Sequence, residues 1–171
     1  GQQLLLRLAR GMRAAGVDAR VACPPSGRLW VALADAGVPR VAIPAGRSVR
    51  TAWVLGAADA DVVVVHTSHA LTCALGWAGP LVGYRWVDFP VSGGLKYRRP
   101  DAWCAVSVTV QRILLDAGCR SVRVVAGGAD PLPLVAAAPD GPMVLAVGAR
   151  VPHKGHDILA AAATLLPGVD I

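Results

Sequence analysis

The sequence predicts an α/β protein built on a doubly wound parallel sheet, followed by the opening strand and helix of a second domain of the same kind. Three observations predict it. Short runs rich in Val and Ala alternate with segments of helical periodicity along nearly the whole chain. The run Val62-Val63-Val64-Val65 is apolar at consecutive positions, so both faces of that strand are apolar, as a parallel strand covered by helices requires. The helix-period segments stop at glycines, Gly16, Gly37 and Gly118, the residue favoured just past a helix C-terminus.

Taken in order, Leu5, Leu8, Met12 and Ala15 share one helical face, and Arg7, Arg10 and Arg13 fall largely elsewhere. A strand over 18–23 ends at Pro24-Pro25. A helix over 28–36, a strand over 38–43 and a helix over 51–58 follow, and residues 61–66 form the apolar strand. Next come a helix over 70–77, strands over 81–85 and 102–106, a helix over 108–117 and a strand over 122–126. Two loops are long for this architecture, 86–100 and 127–141, and long loops at strand ends usually carry function or join domains. Residues 143–147 and 157–166 then read as a fresh strand and helix. The expected organisation is a Rossmann-like domain over 1–126, a linker over 127–141, and the start of a second Rossmann-like domain over 142–171. The chain opens without Met and directly on a helix, where a doubly wound domain ordinarily has a strand. The expectation is therefore a piece lacking its first strand, with the second domain cut short.

Composition narrows the function classes. The 171 residues are 54% hydrophobic and 16% charged, which excludes a disordered chain. Of 17 basic residues all but Lys96 and Lys154 are arginine, and the acidic residues are all Asp, with no Glu. The net charge of +6 favours anionic partners. The arginines are scattered without interleaved aromatics, so nucleic acid is not expected as a partner. No apolar run reaches the roughly 18 residues of a membrane span. Cys23, Cys73, Cys104 and Cys119 are far apart in sequence and read as reduced thiols of a cytoplasmic protein.

Four stretches can carry chemistry. In Gly148-Ala149-Arg150-Val151-Pro152-His153-Lys154-Gly155 two cations stand between a strand and a helix N-terminus. Free N–H groups there attract phosphate, and Arg150 and Lys154 suit a diphosphate; the alternative is a solvated basic loop. His66-Thr67-Ser68-His69 lies at the end of a buried strand, where open α/β sheets place ligands. Those residues can bond a sugar hydroxyl or a phosphate, or Ser68 can simply cap the next helix with His69 in its first turn. A lone H-x-x-H offers two ligands where zinc wants three or four, so no metal is expected. Arg85 and Asp88, after the next strand, are either substrate contacts or an ion pair that orders the loop. Asp130, after Gly127-Gly128, either orients the linker or touches a nucleotide. The chain has no G-x-G-x-x-G, no P-loop and no G-x-S-x-G elbow.

With these residues in view, the chain resembles the retaining glycosyltransferases of family 4, which have two facing Rossmann-like domains (the GT-B fold). Gln2 to Ala9 is similar to the helix after that family's glycine-rich first loop. Asp61 to His66 resembles its D-V-V-H-x-H strand, with Val64 in place of the first His. Arg85 to Val91 resembles an R-R-V-D-F-P-V stretch of one bacterial branch; Lys96 to Asp101 and Ala105-Val106-Ser107 resemble K-Y-R-R-A-D and A-V-S. Gly128 to Pro131 resembles G-V-D-P, and Gly148 to Asp157 the segment G-x-L-V-P-x-K-G-H-D that opens the donor domain.

The resemblance implies an acceptor-side first domain and a donor-side second domain. It implies transfer of a sugar from a nucleotide diphosphate sugar to an acceptor hydroxyl with retention, without a required metal or other cofactor. Lys154 matches the diphosphate-binding Lys; its usual Arg partner falls at Ala149, with Arg150 one place on. Gly128 would lie on the donor side, and Tyr84 stands where many members have an active-site His. A basic acceptor domain further suggests work on lipid-linked or lipopolysaccharide-like acceptors in cell-envelope synthesis, in the cytoplasm at the inner face of an anionic membrane. The rival class is a non-catalytic Rossmann-like ligand-binding or regulatory module.

Overall fold

A computed structural model of the chain describes residues 2–44, 59–92, 94–128, 141–148 and 151–169. The expected helix over 51–58 lies outside the described residues, as do Gly93, Asp130 and Arg150. Two compact units divide the chain, Gly1–Ala129 and Asp130–Ile171.

The first unit is α/β and all its strand pairs are parallel. Strands β1 (Val21–Cys23) and β2 (Arg40–Ala42) form one two-stranded sheet. Strands β3 (Val63–Val65), β4 (Leu81–Arg85), β5 (Ala102–Ala105) and β6 (Val122–Val124) form a second sheet in sequential order. Register sets Val65 beside Gly83, and Tyr84 and Arg85 beside Cys104 and Ala105. Helices α1 (Gln2–Ala14) and α2 (Arg28–Asp35) belong to the first sheet; α3 (Ser68–Cys73) and α4 (Val108–Asp116) connect strands of the second. This is the alternation read from the sequence, with most elements shorter than expected because strand ends lose pairing partners and helix ends tighten. The helix expected over 70–77 starts earlier, at Ser68, and gives way at Ala74 to a 3₁₀ turn through Gly76.

Each sheet has its own core. Ala9, Val21, Cys23, Leu33 and Val38 pack together around β1 and β2. The larger core joins Val65, Leu71, Leu81, Trp103, Ala105, Val110 and Leu114 with Tyr97 and Cys119. Val110 and Leu114 lie four apart on one face of α4 and are essentially inaccessible. Ser107 caps that helix by accepting from the Val110 N–H at 3.3 Å, and Gly118 closes it at φ +78°, where a side chain would be strained.

The β4–β5 connection contains a 3₁₀ helix, Gly94–Arg98, and explains much of the K-Y-R-R-P-D stretch as structure. Tyr97 is buried, stacks on Trp103 at 5.6 Å between ring centres, and its carbonyl accepts from Trp103 Nε1 and Cys119 Sγ. Arg99 donates to the carbonyls of Trp77 and Gly79, and Asp101 accepts from the Leu81 N–H at 2.8 Å. These bonds fasten the start of β4 to the start of β5. The second half of the long loop is thus a clamp.

The second unit contains a 3₁₀ turn, Pro152–Lys154, and the helix α5, His156–Ala163. The strand expected over 143–147 is not formed: Met143 makes a single bridge, and residues 141–148 are exposed, Val147 at 90%. A parallel strand is held by a neighbour on at least one side and by cover on its faces, and these residues have no ladder among the described residues.

Candidate functional site

His66, Ser68, His69, Tyr84, Arg85 and Asp88 lie at or just past the C-terminal ends of β3 and β4, the end at which open α/β sheets bind ligands. His66 follows β3 directly, and Tyr84 and Trp86 flank the end of β4. Their three rings stack: Tyr84 on Trp86 at 3.8 Å, His66 on Tyr84 at 5.5 Å and on Trp86 at 5.7 Å, all within 18° of parallel. Side chains alternate along β4, which gives the stack Tyr84 on one side and leaves Arg85 for the other.

Hydrogen bonds fix the stack. The Trp86 indole N–H donates to Nδ1 of His66 at 3.2 Å, so in the neutral ring the proton sits on Nε2. Burial lowers the His66 pKa from 6.5 to about 4, because the apolar rings cannot solvate an imidazolium. At neutral pH His66 is therefore an uncharged Nε2–H donor. The buried Tyr84 hydroxyl donates to the Val125 carbonyl at 2.5 Å, beyond the end of β6, and burial, with a smaller effect of Cys104, raises its pKa. Tyr84 is thereby a structural tie between strand ends and a ring face for His66, with its proton already committed.

Around the stack, α3 begins at Ser68. The cap is Thr67, whose hydroxyl accepts from the Ala70 N–H at 3.0 Å. This corrects the expectation that Ser68 caps the helix: one residue of offset frees its hydroxyl, which instead accepts from Lys96 Nζ at 2.8 Å. His69 is in the first turn, as expected for a helix entry. Its Nε2 lies 3.7 Å from Cys73 Sγ one turn on, whereas Nδ1 of His66 accepts from Trp86. Among the described residues no group of three or more His, Cys, Asp or Glu side chains gathers as metal ligands.

Arg85 is the more surprising residue. It is 9% exposed, donates through Nη2 to the Phe89 carbonyl, and lies with Cζ 5.8 Å from the Tyr97 ring centre. Its Nε has no hydrogen-bond partner. The pairing of Arg85 with Asp88 that would have ordered the loop is not formed; the carbonyl of Phe89 takes that role. Asp88 is exposed. A buried guanidinium without a carboxylate is costly, and the Tyr97 ring face offsets part of that cost.

In the second unit, Lys154 ends the 3₁₀ turn and is exposed. Gly155 follows in a left-handed conformation, φ +68°, and stands at the N-cap of α5 with no side-chain cap. The cap residue thus supplies no side-chain acceptor of its own to the start of α5, and a helix start is where anions are favoured. Gly128, expected on the donor side, has open space where a Cβ would stand, so packing does not require glycine there. Arg150 and Asp130, the other residues expected to meet the donor, lie outside the described residues.

Two residues of the edge site were not singled out as ligands from sequence. Trp86 and Lys96 both fall in the 86–100 loop and in stretches of the resemblance, without a ligand role. A single aromatic or lysine after a strand gives no periodic signal. Only the fold shows Lys96 crossing to α3.

Comparison of the chain with family models, curated proteins and solved structures returns no match. No helix among the described residues is long and apolar enough to cross a membrane.

Proposed function

We propose that the chain is the acceptor-side domain and the opening of the donor-side domain of a retaining, GT-B-type glycosyltransferase. It moves a sugar from a nucleotide diphosphate sugar to an acceptor hydroxyl, in synthesis of cell-envelope polysaccharide or lipopolysaccharide. The observation that carries this is the edge site. A neutral His66, held beside the stacked Trp86 and Tyr84 rings, offers a proton donor next to an aromatic surface, and Ser68 adds a hydroxyl. Uncharged donors beside aromatic rings match the chemistry of a sugar, whose hydroxyls need directed bonds and whose C–H faces need apolar contact. The ordered motifs from Gln2 to Asp157 support the same reading.

In that reaction the bond from the anomeric carbon to the donor phosphate breaks, and a bond to the acceptor oxygen forms on the same face. His66 would orient the acceptor through Nε2–H. Lys154, with Arg150, would stabilise the charge that builds on the departing diphosphate. The chain works in the cytoplasm, peripheral to an anionic membrane, and requires no metal.

The test is a titration of the 171-residue chain with UDP, GDP, ADP and dTDP, followed by amide NMR. One nucleotide should shift the resonances of Lys154, Gly155 and His156, and Lys154→Ala should weaken it by about tenfold, the loss of one charge-assisted contact worth ~1.4 kcal/mol. Absence of such shifts with all four nucleotides would leave a Rossmann-like binding module instead.

A further inference from the structure

We infer that Lys96 and Ser68 form a binding site for a phosphate group carried by the acceptor. This deepens the transferase proposal and rests on it. The ammonium of Lys96 lies 2.8 Å from Ser68 Oγ and 3.4 Å from Thr72 Oγ1. Ser68 and Thr72 are four apart on α3 and therefore on one face. The Thr72 hydroxyl donates to the Ser68 carbonyl at 3.0 Å, so it can only accept from Lys96. Ser68 likewise accepts from Lys96, which leaves its own O–H without an acceptor among the described residues. An ammonium has three N–H donors, and two are spent on these hydroxyls. A charged N–H and a neutral O–H on adjacent heavy atoms are thus both left to donate.

Charge points the same way. The ion pairs among the described residues are Arg13–Asp18, Arg20–Asp18 and Arg99–Asp101; none involves Lys96. Lys96 Nζ also lies 5.5 Å from the Tyr97 ring centre, the ring that Arg85 approaches at 5.8 Å. Two cations therefore share one aromatic ring, one buried, with no carboxylate bonded to either. The resulting field is positive where the two donors are, and a ligand oxyanion is its natural counter-charge. Phosphate fits better than carboxylate: it spreads up to two charges over several oxygens, and Lys recognises it as a point charge without needing a planar fork.

Position assigns the phosphate to the acceptor. Ser68 is two residues past His66, so the Lys96–Ser68 pair lies at the same C-terminal edge of the sheet as the Nε2–H donor. The acceptor class is then a sugar phosphate or a sugar on a phosphate-linked lipid.

The experiment is an amide and indole NMR titration of the 171-residue chain with inorganic phosphate against acetate at constant ionic strength. The expected result is saturable shifts at Ser68 and Lys96 with phosphate and weaker ones with acetate. Lys96→Gln and Ser68→Ala should each weaken phosphate by about tenfold, and Lys96→Arg by no more than about threefold. Phosphate shifts that do not saturate, equal affinity in Lys96→Gln, or acetate binding as tightly as phosphate would overturn the site. Ser68 is exposed and Lys96 half-buried, and the Trp86 indole resonance reports whether the neighbouring stack is intact in each variant. Sedimentation with phosphatidylcholine vesicles containing phosphatidic acid separates the sources. Pelleting that depends on Lys96 assigns the phosphate to a lipid, and phosphate binding without it assigns a soluble acceptor. Lys154→Ala should leave phosphate binding at Lys96 unchanged. Nucleotide binding lost with phosphate binding kept removes the transferase proposal, and the converse removes this site alone.

Discussion

Replacing His66 with Gln should flatten the acid side of the protein's stability profile. In the folded chain the His66 pKa is lowered to about 4 from 6.5 by burial. The folded state therefore binds fewer protons than the unfolded state between those values. Stability from this group is complete above pH 6.5 and falls as pH drops toward 4, where the folded ring finally protonates. The slope is ~1.4 kcal/mol per pH unit, so moving from about pH 7.5 to about pH 5 costs roughly 2 kcal/mol through His66 alone. Protonation at Nδ1 also removes the acceptor for the Trp86 N–H, which ties the ionisation to the geometry of the site. Glutamine keeps an oxygen to accept from Trp86 and has no proton to gain. Urea unfolding of both proteins at the two pH values isolates the effect, since the carboxylates and the other histidines are common to both. Wild type should lose roughly 2 kcal/mol more than His66→Gln on acidification. Equal losses, or a His66 ring that titrates near its ordinary value by NMR, would refute a neutral His66.

Two substitutions around β4 test the packing on which the site stands. A Cβ on Gly83 would lie 2.4 Å from the six-membered ring of Trp103, which is buried and stacked on Tyr97 and cannot swing away; Gly83→Ala should lower unfolding free energy by about 1–3 kcal/mol, and a change under about 0.5 kcal/mol by urea denaturation would show the ring to be free. Arg85→Met should keep stability within about 1 kcal/mol or raise it, because the buried guanidinium has no carboxylate to lose; a loss above about 3 kcal/mol by the same assay would reveal a charged partner.

The sequence made the fold legible where a pattern spans several residues. The Val62 to Val65 run and the glycine stops pointed to strand, helix and order, and β4 was placed with its bounds as found. What it hid depends on single residues meeting across the chain. Lys96 reaches Ser68 from 28 positions away, and Trp86 reaches His66 from 20; no local period encodes either. The offset of one residue between Ser68 and Thr67 at the α3 cap lies within the ordinary uncertainty of helix ends, yet it decides whether the Ser68 hydroxyl is structural or available. His66 was legible as a candidate because a residue directly after a buried strand is at the ligand-binding edge whatever the loop does. Asp88 shared that edge but sits in the loop, where position alone fixes no contact.

β4 also explains why a sheet of this kind can hold a neutral donor and a positive field side by side. Successive residues on a strand face opposite ways, so Tyr84 and Arg85 are adjacent in sequence but separated by the sheet. Tyr84 contributes an apolar ring face to His66, which keeps the imidazole uncharged. Arg85 carries its charge to the Tyr97 side, where Lys96 also lies. Were both on one face, the guanidinium would further depress the His66 pKa and compete with it for a ligand's oxygens. The alternation lets one short strand support uncharged hydrogen bonding to hydroxyls and attraction of an anion, the two interactions a phosphorylated sugar needs at once.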